Sequence, residues 1–267
     1  MRRSELNRRR DAIIGLLCDI DEMSAAALAG RLEVSVQTIR ADLRDLDEAG
    51  LVQRRNGVVR LRRQSEIIGY APRVSVARGE KQQIALEVQH LVADGARVAL
   101  GTGTTVEACA RMLAATRKDL FVATNNMHAV MALQGASGAT VSLAGGAVRL
   151  RDLDLIGTAS REFFANYLAD IAIFSCGGVS SAGEVLDYNT DEITARVAVS
   201  GCAQRKVLVM DCAKFGRELP CRKHMLWDYD VIVTGAEFPS TLLARCAAEG
   251  CRVIQVERSA EPMRAPL

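Results

Sequence analysis

The spacing of apolar residues along the first fifty positions predicts three short helices. Apolar positions recur on one face over residues 6–17, and two further amphipathic stretches follow. Ser24 and Ser35 are candidate N-caps for those two stretches, which a tight break at Glu33-Val34 separates. Gly50 is placed to end the third helix in a left-handed conformation. A short capped helix, a turn and a longer helix occur in this order in a helix-turn-helix.

The third predicted helix carries a polar face opposite its apolar stripe. Ile39, Leu43 and Leu46 form the stripe, whereas short hydrogen-bonding side chains and then arginines occupy the other side. A recognition helix contacts base edges with its N-terminal residues, and flanking groups contact phosphates. Beyond it, two apolar runs that carry arginines flank Asn56-Gly57, the strongest short signal for a β-hairpin. We therefore predict a winged helix-turn-helix whose DNA-contacting residues are Ser35, Gln37, Thr38, Arg40 and Arg44 on the helix, with Arg54 and Arg55 on the wing.

From Lys81 onward, strand-like and helical runs alternate. This alternation predicts an α/β domain in which a mainly parallel sheet is covered by helices on both faces. The predicted strands span residues 97–100, 120–123, 140–144, 170–175, 206–210, 230–233 and 252–256. The predicted helices between them span residues 106–115, 127–134, 158–169, 193–204 and 241–249.

The length of 267 residues suits two domains. Residues 64–79 show no clear apolar pattern, and Gly69 and Pro72 disfavour a long helix there. Both features are typical of a linker. We therefore predict a winged helix-turn-helix over 1–63, a linker over 64–79, an α/β sensor domain over 80–257 and a tail over 258–267.

Charge and cysteine content narrow the function classes. Residues 1–63 hold 13 Arg, no Lys and 10 acidic residues, so a net charge of +3 lies there in a chain whose total is +2. An all-arginine set suits phosphate and guanine contacts. The eight cysteines form no Cys-x-x-Cys pair, so we expect buried reduced thiols rather than disulfides or a metal site. With no apolar run of about 20 residues and no signal-peptide core, we expect a cytoplasmic protein without a membrane span.

The residues after the first strand of the α/β domain are a candidate phosphate site. Gly101-Thr102-Gly103-Thr104-Thr105 leads directly into a predicted helix. Glycines let backbone N–H groups turn toward an anion, hydroxyls add donors, and a helix N-terminus adds positive potential. The segment lacks the third glycine of a dinucleotide fingerprint and the Gly-Lys of a P-loop. It therefore fits a single phosphate better than NAD or ATP, and we expect no cofactor, although a plain strand-to-helix turn is the alternative.

Polar or glycine-rich residues also stand next to other predicted strands. Ligands of parallel sheets bind beyond the carboxyl ends of the strands. Each such residue can equally cap the next helix, and a lysine near an aspartate is usually a surface pair. Several of them at one edge nevertheless favour a ligand site, for which the further candidates are Thr124, Asn125, Gly145, Gly146, Arg149, Asp152, Asp170 (which begins a strand) and Lys214.

Two sets of motifs resemble the DeoR family of bacterial repressors. Residues 28–43 are similar to its helix-turn-helix signature, with Ala41 in place of a second arginine and Asn56-Gly57-Val58 in place of a His-Gly-Gly wing turn. The resemblance extends to a sensor domain similar to ribose-5-phosphate isomerase, and it implies a pocket for a phosphorylated sugar or polyol. The motifs in question are Asp94-Gly95, Gly101–Thr105, Thr124-Asn125, Gly145-Gly146, Asp170 and Asp211–Gly216, while 183–188 with Glu192 loosely resembles the glycerol-3-phosphate repressor branch.

The favoured function is that of a ligand-controlled transcriptional regulator. We expect a homo-oligomer, dimer or tetramer, that binds a double-stranded operator of a carbohydrate or polyol operon and is released by a phosphorylated sugar or polyol. The alternative is a sugar-phosphate isomerase with an appended DNA-binding domain, for which Asp152, Asp170, Glu184 and Asp187 are candidate bases. The isomerase motifs Asp-Gly-Ala-Asp-Glu and Lys-Gly-x-Gly-Gly are absent, so we expect no enzyme and no catalytic residues. A module that binds RNA or protein is a third hypothesis, which the lack of aromatic residues in 1–63 disfavours.

Overall fold

The computed structural model describes residues 22–48, 51–55, 57–61, 70–75 and 77–257, together with separate positions between 6 and 20. They fall into two compact units, one ending at Glu80 and the other spanning Lys81–Glu257. The predicted tail (258–267), the predicted linker residues 64–69, and the turn residues Gly50 and Asn56 lie outside the described residues.

The N-terminal unit contains the predicted helix-turn-helix. The described positions between 6 and 17 are helical, and α1 (Ala25–Arg31) and α2 (Val36–Glu48) follow. Ser24 Oγ accepts a hydrogen bond from Ala27 N, and Ser35 Oγ accepts one from Thr38 N, both at 3.1 Å. Glu33 adopts the left-handed conformation (φ +53°) in the turn between the helices. Both predicted N-caps and the predicted break are confirmed.

A three-stranded antiparallel sheet completes this unit, in the order β1 (Met23–Ser24), β3 (Val58–Leu61), β2 (Val52–Arg55). Arg55 pairs with Val58, so a two-residue turn connects β2 to β3, and Gly57 takes φ +81° there. The predicted wing is thereby confirmed, whereas β1 was not anticipated. The helices and the wing share one apolar core, which includes Ile13, Leu17, Leu28, Ile39, Leu43, Val52 and Val59.

Two helices follow, one within the predicted linker (64–79) and one that begins at its end. They are α3 (Tyr70–Ser75) and α4 (Arg78–Gln89). Pro72 is the third residue of α3, and a proline is tolerated in a first turn because its missing N–H would have no partner within the helix. The sequence pattern did not anticipate either helix.

The second unit is built on one seven-stranded sheet in which every neighbouring pair is parallel. The strand order is β13-β12-β10-β7-β4-β5-β6. The strands are β4 (Arg97–Leu100), β5 (Phe121–Thr124), β6 (Thr140–Leu143), β7 (Ala169–Phe174), β10 (Ala203–Met210), β12 (Val231–Thr234) and β13 (Arg252–Gln255). The helices are α5 (Thr104–Thr116), α6 (Met127–Ala132), α7 (Thr158–Phe164), α8 (Thr190–Gly201) and α9 (Ser240–Ala248), with 3₁₀ turns at Cys212–Lys214 and Leu226–Asp228.

Alternate residues of the central strands pack into the layers on either side of the sheet. Ile171 and Ile173 join the large core formed with α4, α5 and α6. The next residue, Phe174, is equally buried but lies outside that core, and α8 packs against its strand. All seven predicted strands are confirmed to within a few residues, as is the parallel sheet.

The structure also contains elements that the sequence pattern did not predict. A small antiparallel sheet has the order β11 (Cys221–Met225), β9 (Glu184–Asp187), β8 (Gly178–Val179). The helix predicted over 158–169 ends at Phe164, because Ala169 already belongs to β7. No helix in the described part of the chain is long and apolar enough to cross a membrane.

Candidate nucleic-acid surface and anion site

The exposed face of α2 carries most of the predicted DNA contacts. Ser35, Gln37, Arg40 and Arg44 are exposed, and Thr38 is half-buried. The hydroxyls of Ser35 and Thr38 lie 2.8 Å apart, so they already pair with each other at the start of the helix. Gln37 and the two arginines are therefore the long side chains with which this face is able to reach a base edge or a phosphate.

A buried carboxylate holds α2 against the first helical segment. Asp42 is 2% exposed and accepts a hydrogen bond from Arg9 Nε, with Arg9 Nη2 3.3 Å from its second oxygen. Arg10 Nε lies 3.6 Å from the same carboxylate. A buried charge is stable only when it is paired, so these contacts fix the orientation of α2. Sequence reasoning missed this role, for which the signal was an aspartate three residues after Ile39 on the apolar stripe.

The wing presents the other two predicted contacts. Arg54 and Arg55 are exposed at the end of β2, beside the two-residue turn. Arg60 on β3 instead donates two hydrogen bonds to Oε1 of Gln53 across the hairpin, at 2.8 and 3.2 Å. The cross-strand pair therefore stiffens the hairpin, while its tip carries the exposed positive charge.

In the second unit, the chain reverses its direction of travel across the sheet at β4. The chain runs from β4 outward to β5 and β6, and then returns to β7 on the other side of β4. In an open α/β sheet, a reversal of this kind leaves a crevice at the carboxyl ends of the two strands where it occurs. Ligands of open α/β sheets bind at such a switch point. Gly101–Thr105 follows β4 and Ser175 follows β7, so both lie at this crevice.

The glycine- and threonine-rich loop has the geometry of an anion cradle. Gly103 is the N-cap of α5 with φ +111° and ψ 159°, and no side chain caps the helix there. The hydroxyl of Thr105 is buried with no hydrogen-bond partner. At Gly101 a Cβ would lie 2.9 Å from Cβ of Phe174, so only glycine fits between β4 and β7. An uncapped helix N-terminus beside a buried hydroxyl without a partner suits a negatively charged group.

Lys214 reaches the same crevice from β10. Its ammonium donates to Ser175 Oγ at 2.8 Å and to the carbonyl of Cys176 at 2.7 Å. A Cβ built on Gly103 would lie 3.7 Å from Cβ of Ser175, so the cradle and the lysine have a common neighbour. The structure thus brings Lys214 together with the predicted cradle. Ser175 was missed in the sequence because it reads as the last residue of an apolar strand.

The three polar residues at the end of β5 differ in their roles: two of them hold the fold, and one is a candidate ligand contact. Thr124 donates to the carbonyl of Leu100, and Asn126 caps α6 by accepting from the N–H groups of residues 128 and 129. Asn125 is fully buried and donates to the carbonyl of Leu155 and to Ser160 Oγ, whereas its own Oδ1 has no partner. Thr124 is therefore engaged in holding the strand end, and Asn125 retains an unsatisfied acceptor.

The loop after β6 forms a charged cluster. Gly145 and Gly146 are exposed, and a Cβ on Gly146 would lie 3.2 Å from that of Ala159. Arg149 donates to both carboxylate oxygens of Asp154 at 2.7 and 2.8 Å, and it also pairs with Glu192 and Asp152. Burial would raise the pKa of Asp154, and the Arg149 guanidinium only partly offsets this, so the pKa lies above its ordinary value. Arg149 thus holds the loop to α8 through Glu192, while Asp152 pairs with Arg149 within the loop.

The prediction that Asp170 belongs to this site is wrong. Asp170 lies at the beginning of β7, at the edge of the sheet opposite the crevice. Its exposed carboxylate accepts from Arg97 N at 2.8 Å and from Arg97 Nε at 3.2 Å. These hydrogen bonds lower the pKa of Asp170 and join the first residues of β4 and β7. A residue that begins a parallel strand cannot face a site at the strands' carboxyl ends.

Two buried ion pairs next to the crevice were also missed. Lys81 Nζ lies 3.7 Å from Oδ2 of Asp211 at the end of β10, and both side chains are almost fully buried. Arg196 Nε donates at 2.8 Å to Asp187, whose other oxygen accepts from Gly177 N at 2.8 Å. The second pair therefore fixes the loop after β7 that carries Ser175. Both pairs join segments distant in sequence, which apolar periodicity does not reveal.

Family models match both units of the chain. Residues 9–65 match the DeoR-like helix-turn-helix domain, and residues 77–236, more than half of the chain, match the DeoR C terminal sensor domain. The chain belongs to the DeoR family. It is therefore a DNA-binding transcriptional repressor with a C-terminal sensor domain and not an enzyme, which overturns the isomerase alternative.

Relatives of this DeoR-family repressor match it over nearly their whole length. The glycerol-3-phosphate regulon repressor of Escherichia coli (strain K12) is 30% identical over 236 residues, covering 88% of this chain and 93% of that protein. The repressor of the same name from Haemophilus influenzae is 32% identical, covering 85% and 88%. Ribose 5-phosphate isomerase A from Methanocaldococcus jannaschii matches at 20% identity and a TM-score of 0.36, covering 51% of this chain and 53% of that one, a likeness too weak to carry a functional inference.

Proposed function

We propose that this repressor controls a carbohydrate or polyol catabolic operon and is released from its operator by a phosphorylated sugar or polyol. The ligand binds in the crevice between β4 and β7, with its phosphate on the Gly101–Thr105 loop. The observation that carries the proposal is the uncapped start of α5, where Gly103 at φ +111° exposes the first N–H groups beside the buried hydroxyl of Thr105.

The chemistry of the crevice supports a ligand with both phosphate and hydroxyl groups. Lys214 supplies a cation held in place by Ser175 and Cys176. Asn125 supplies a buried acceptor, Oδ1, that lacks a donor within the described protein. A buried acceptor without a donor costs free energy, and a hydroxyl of a bound polyol would satisfy it. Two relatives are named as repressors of a glycerol-3-phosphate regulon, so glycerol 3-phosphate is the first ligand to test.

The DNA-binding unit binds the operator and releases it when the effector binds the sensor domain. We propose that Gln37, Arg40 and Arg44 enter the major groove while Arg54 and Arg55 contact phosphates beside it. Because a helix-turn-helix commonly binds repeated half-sites as a dimer, we propose a homo-oligomer. An effector releases such a repressor when it binds more tightly to an arrangement of the protein that does not fit the operator.

Fluorescence anisotropy with a labelled duplex of the native upstream region tests the proposal. Glycerol 3-phosphate, fructose 1-phosphate and glucose 6-phosphate are titrated into the complex at fixed salt, with glycerol and inorganic phosphate as incomplete ligands. We expect one phosphorylated compound to raise the operator Kd at least about tenfold, in the usual range of allosteric coupling. Neither incomplete ligand should match it.

A matched pair of lysine variants locates the response. Lys214→Ala should bind the operator normally and lose the response, whereas Lys118→Ala, at an exposed site, should behave as the wild type. If no phosphorylated sugar or polyol changes the affinity of a protein that binds its operator, the effector proposal fails. A response that survives in Lys214→Ala places the ligand elsewhere.

A further inference from the structure

One edge of the seven-stranded sheet is built without charged side chains. The sheet ends on β6, which has β5 beside it. Residues 120–148, which include β5, α6 and β6, contain no Asp, Glu, Lys or Arg, although these residues make up 25% of the chain. At the opposite edge, β13 begins with the exposed Arg252 and is followed by the exposed Glu257. Charged side chains keep an edge strand from pairing with another chain, so the β13 edge is protected and the β6 edge is not.

The backbone of β6 has hydrogen-bonding groups that face away from the sheet. Thr140 N and Ala144 N donate to carbonyl oxygens on the β5 side, both at 2.8 Å. Successive residues of a strand alternate in direction, and in a parallel pair the N–H and C=O of one residue point the same way. The N–H and C=O groups of Val141 and Leu143 therefore point outward from the sheet. This edge thus presents two donors and two acceptors.

Exposed apolar side chains lie on the elements around this strand. Six large apolar side chains are exposed in the described part of the chain, and four of them belong to α6, to β6 or to the loop after β6. These four are Met131, Leu143, Val148 and Leu150. Since α6 packs against β6, all four stand at the uncharged edge of the sheet. Exposed apolar groups that concentrate in one region mark an interaction site.

The two ends of β6 differ in the size of their side chains. Leu150, in the loop after the strand, is 81% exposed, while Arg149 and Arg151 on either side of it pair with acidic residues of the same chain. The segment before the strand, residues 135–139, reads Gly-Ala-Ser-Gly-Ala. When two such strands pair antiparallel, the loop after one strand lies beside the segment before the other. The bulky end of one strand would then meet the small side chains of the other.

We propose that residues 135–150 and Met131, together called the β6 edge surface, bind the same surface of a second copy of this chain. The two β6 strands pair antiparallel about a two-fold axis, with Ser142 at the axis. Val141 of each copy then pairs with Leu143 of the other, and every outward backbone group of these two residues gains a partner. The proposal rests on the proposed function, because it supplies the contact between copies that a homo-oligomer on repeated half-sites requires.

Symmetry favours a second copy over other occupants of this surface. Near a two-fold axis each residue meets the same residue of the other copy, so a charge there would face a like charge. A segment without Asp, Glu, Lys or Arg avoids that repulsion. Nucleic acid and charged peptides, in contrast, would find no opposite charge on it. An antiparallel strand of identical sequence also matches the outward donors and acceptors of β6 one for one.

Analytical ultracentrifugation of the full-length protein in the micromolar range tests the proposal. Leu143→Lys combined with Leu150→Lys places positive charges on both sides of the axis, where they face the same charges of the other copy. Leu168→Lys is the matched control, because Leu168 is 61% exposed and stands just before β7, which β4 and β5 separate from β6. Circular dichroism and the thermal shift with effector report whether the variants are folded.

We expect the wild type and Leu168→Lys to sediment as the same oligomer. The double variant should sediment at half that mass, because loss of two central apolar contacts and the added repulsion raise the dissociation constant of this interface at least about hundredfold. A folded double variant that keeps the wild-type mass overturns the proposal. A wild type that is monomeric throughout the micromolar range also overturns it, and the surface then serves a different partner.

A cysteine at the axis tests the strand pairing without altering the apolar side chains. Residues opposite each other in a non-hydrogen-bonded antiparallel pair have Cα atoms about 4.5 Å apart, a distance that a disulfide can bridge. Ser142→Cys treated with copper phenanthroline should therefore run as a covalent dimer on a non-reducing gel. The wild type, with its eight native cysteines, and Leu168→Cys should not. An oligomer of Ser142→Cys that does not cross-link overturns the proposed pairing, and this variant decides should the lysine variant not fold.

The proposed function and the β6 edge surface fail in different measurements. If the wild type binds its operator but responds to no phosphorylated compound, while the double lysine variant falls to half the mass, the effector proposal alone fails. If the wild type responds to an effector and the double variant keeps the wild-type mass, the β6 edge surface alone is wrong.

Discussion

Replacing Gly103 by valine should separate effector binding from DNA binding. Gly103 takes φ +111° and ψ 159°, a backbone region that essentially only glycine occupies. A Cβ there would lie 3.7 Å from Cβ of Ser175, an ordinary contact, so the cost arises in the backbone and not from a clash. We expect the strain to cost about 1–3 kcal/mol of folding free energy. The backbone relieves this strain by rotating, which turns the first N–H groups of α5 away from the crevice.

Thermal unfolding and operator binding measure the two consequences of Gly103→Val. At about 2–4 °C per kcal/mol for a unit of this size, the Tm should fall by roughly 2–12 °C. Operator affinity without effector should stay within about twofold. Loss of one charge-assisted hydrogen bond to phosphate, worth about 1.5–3 kcal/mol, should raise the effector concentration for half-release at least about tenfold.

Gly95→Val is the matched control, because Gly95 has φ +73° and lies before β4, at the opposite edge of the sheet from Gly103. It is exposed, and no atom lies within 4 Å of a Cβ built on it. It should lose stability and keep the effector response. If Gly103→Val releases the operator at the wild-type effector concentration, the cradle assignment is wrong. If both variants lose the response, general destabilisation is the cause.

Three further variants test other parts of the structure. Arg40→Ala should weaken operator binding by about 1–3 kcal/mol and leave calorimetric effector binding unchanged, whereas equal loss of both would indicate misfolding. Asp42→Asn removes the buried charge that pairs with two partly exposed arginines. It should lower the free energy of unfolding of the N-terminal unit, measured in urea, by about 1–3 kcal/mol, which is less than for a fully buried pair. Unaltered unfolding would contradict the ion-pair role. Asp170→Ala should leave induction unchanged, since its exposed pair with Arg97 lies away from the crevice; lost induction would return Asp170 to the effector site.

The sequence predicted the apolar strands of the large sheet and missed strands that are very short or rich in polar side chains. The strands of the parallel sheet are buried on both faces, so each reads as a continuous apolar run. Cys221–Met225, in contrast, contains arginine, lysine and histidine, and it forms a strand by pairing with Glu184–Asp187. Gly178–Val179 is too short to show any period. Strands of this kind depend on tertiary contacts that a local pattern does not contain.

The candidate site was predictable where function depends on the loop and not where it depends on side chains from distant segments. Gly101–Thr105 was evident because its glycines and hydroxyls are contiguous in the sequence. Lys81 and Asp211 are 130 positions apart in the numbering and meet only in the folded domain, where the start of α4 lies at the end of β10. Asp170 was placed in the site by its proximity to an apolar run, although the direction of a parallel strand puts its first residue at the opposite edge. Strand polarity was the information that the sequence contained and the prediction did not use.

The pairing of Arg9 and Arg10 with carboxylates of α2 limits how strongly salt weakens operator binding. Guanidinium groups already neutralised within the protein release few counterions when DNA binds. Each phosphate contact contributes about 0.9 to the slope of log affinity against log salt concentration. The two wing arginines proposed to contact phosphates give a slope of roughly −1.8 per protomer, so doubling the salt would weaken binding about 3.5-fold per protomer. The ionic-strength range over which this repressor holds its operator therefore depends on exposed arginines such as Arg54 and Arg55 on the wing.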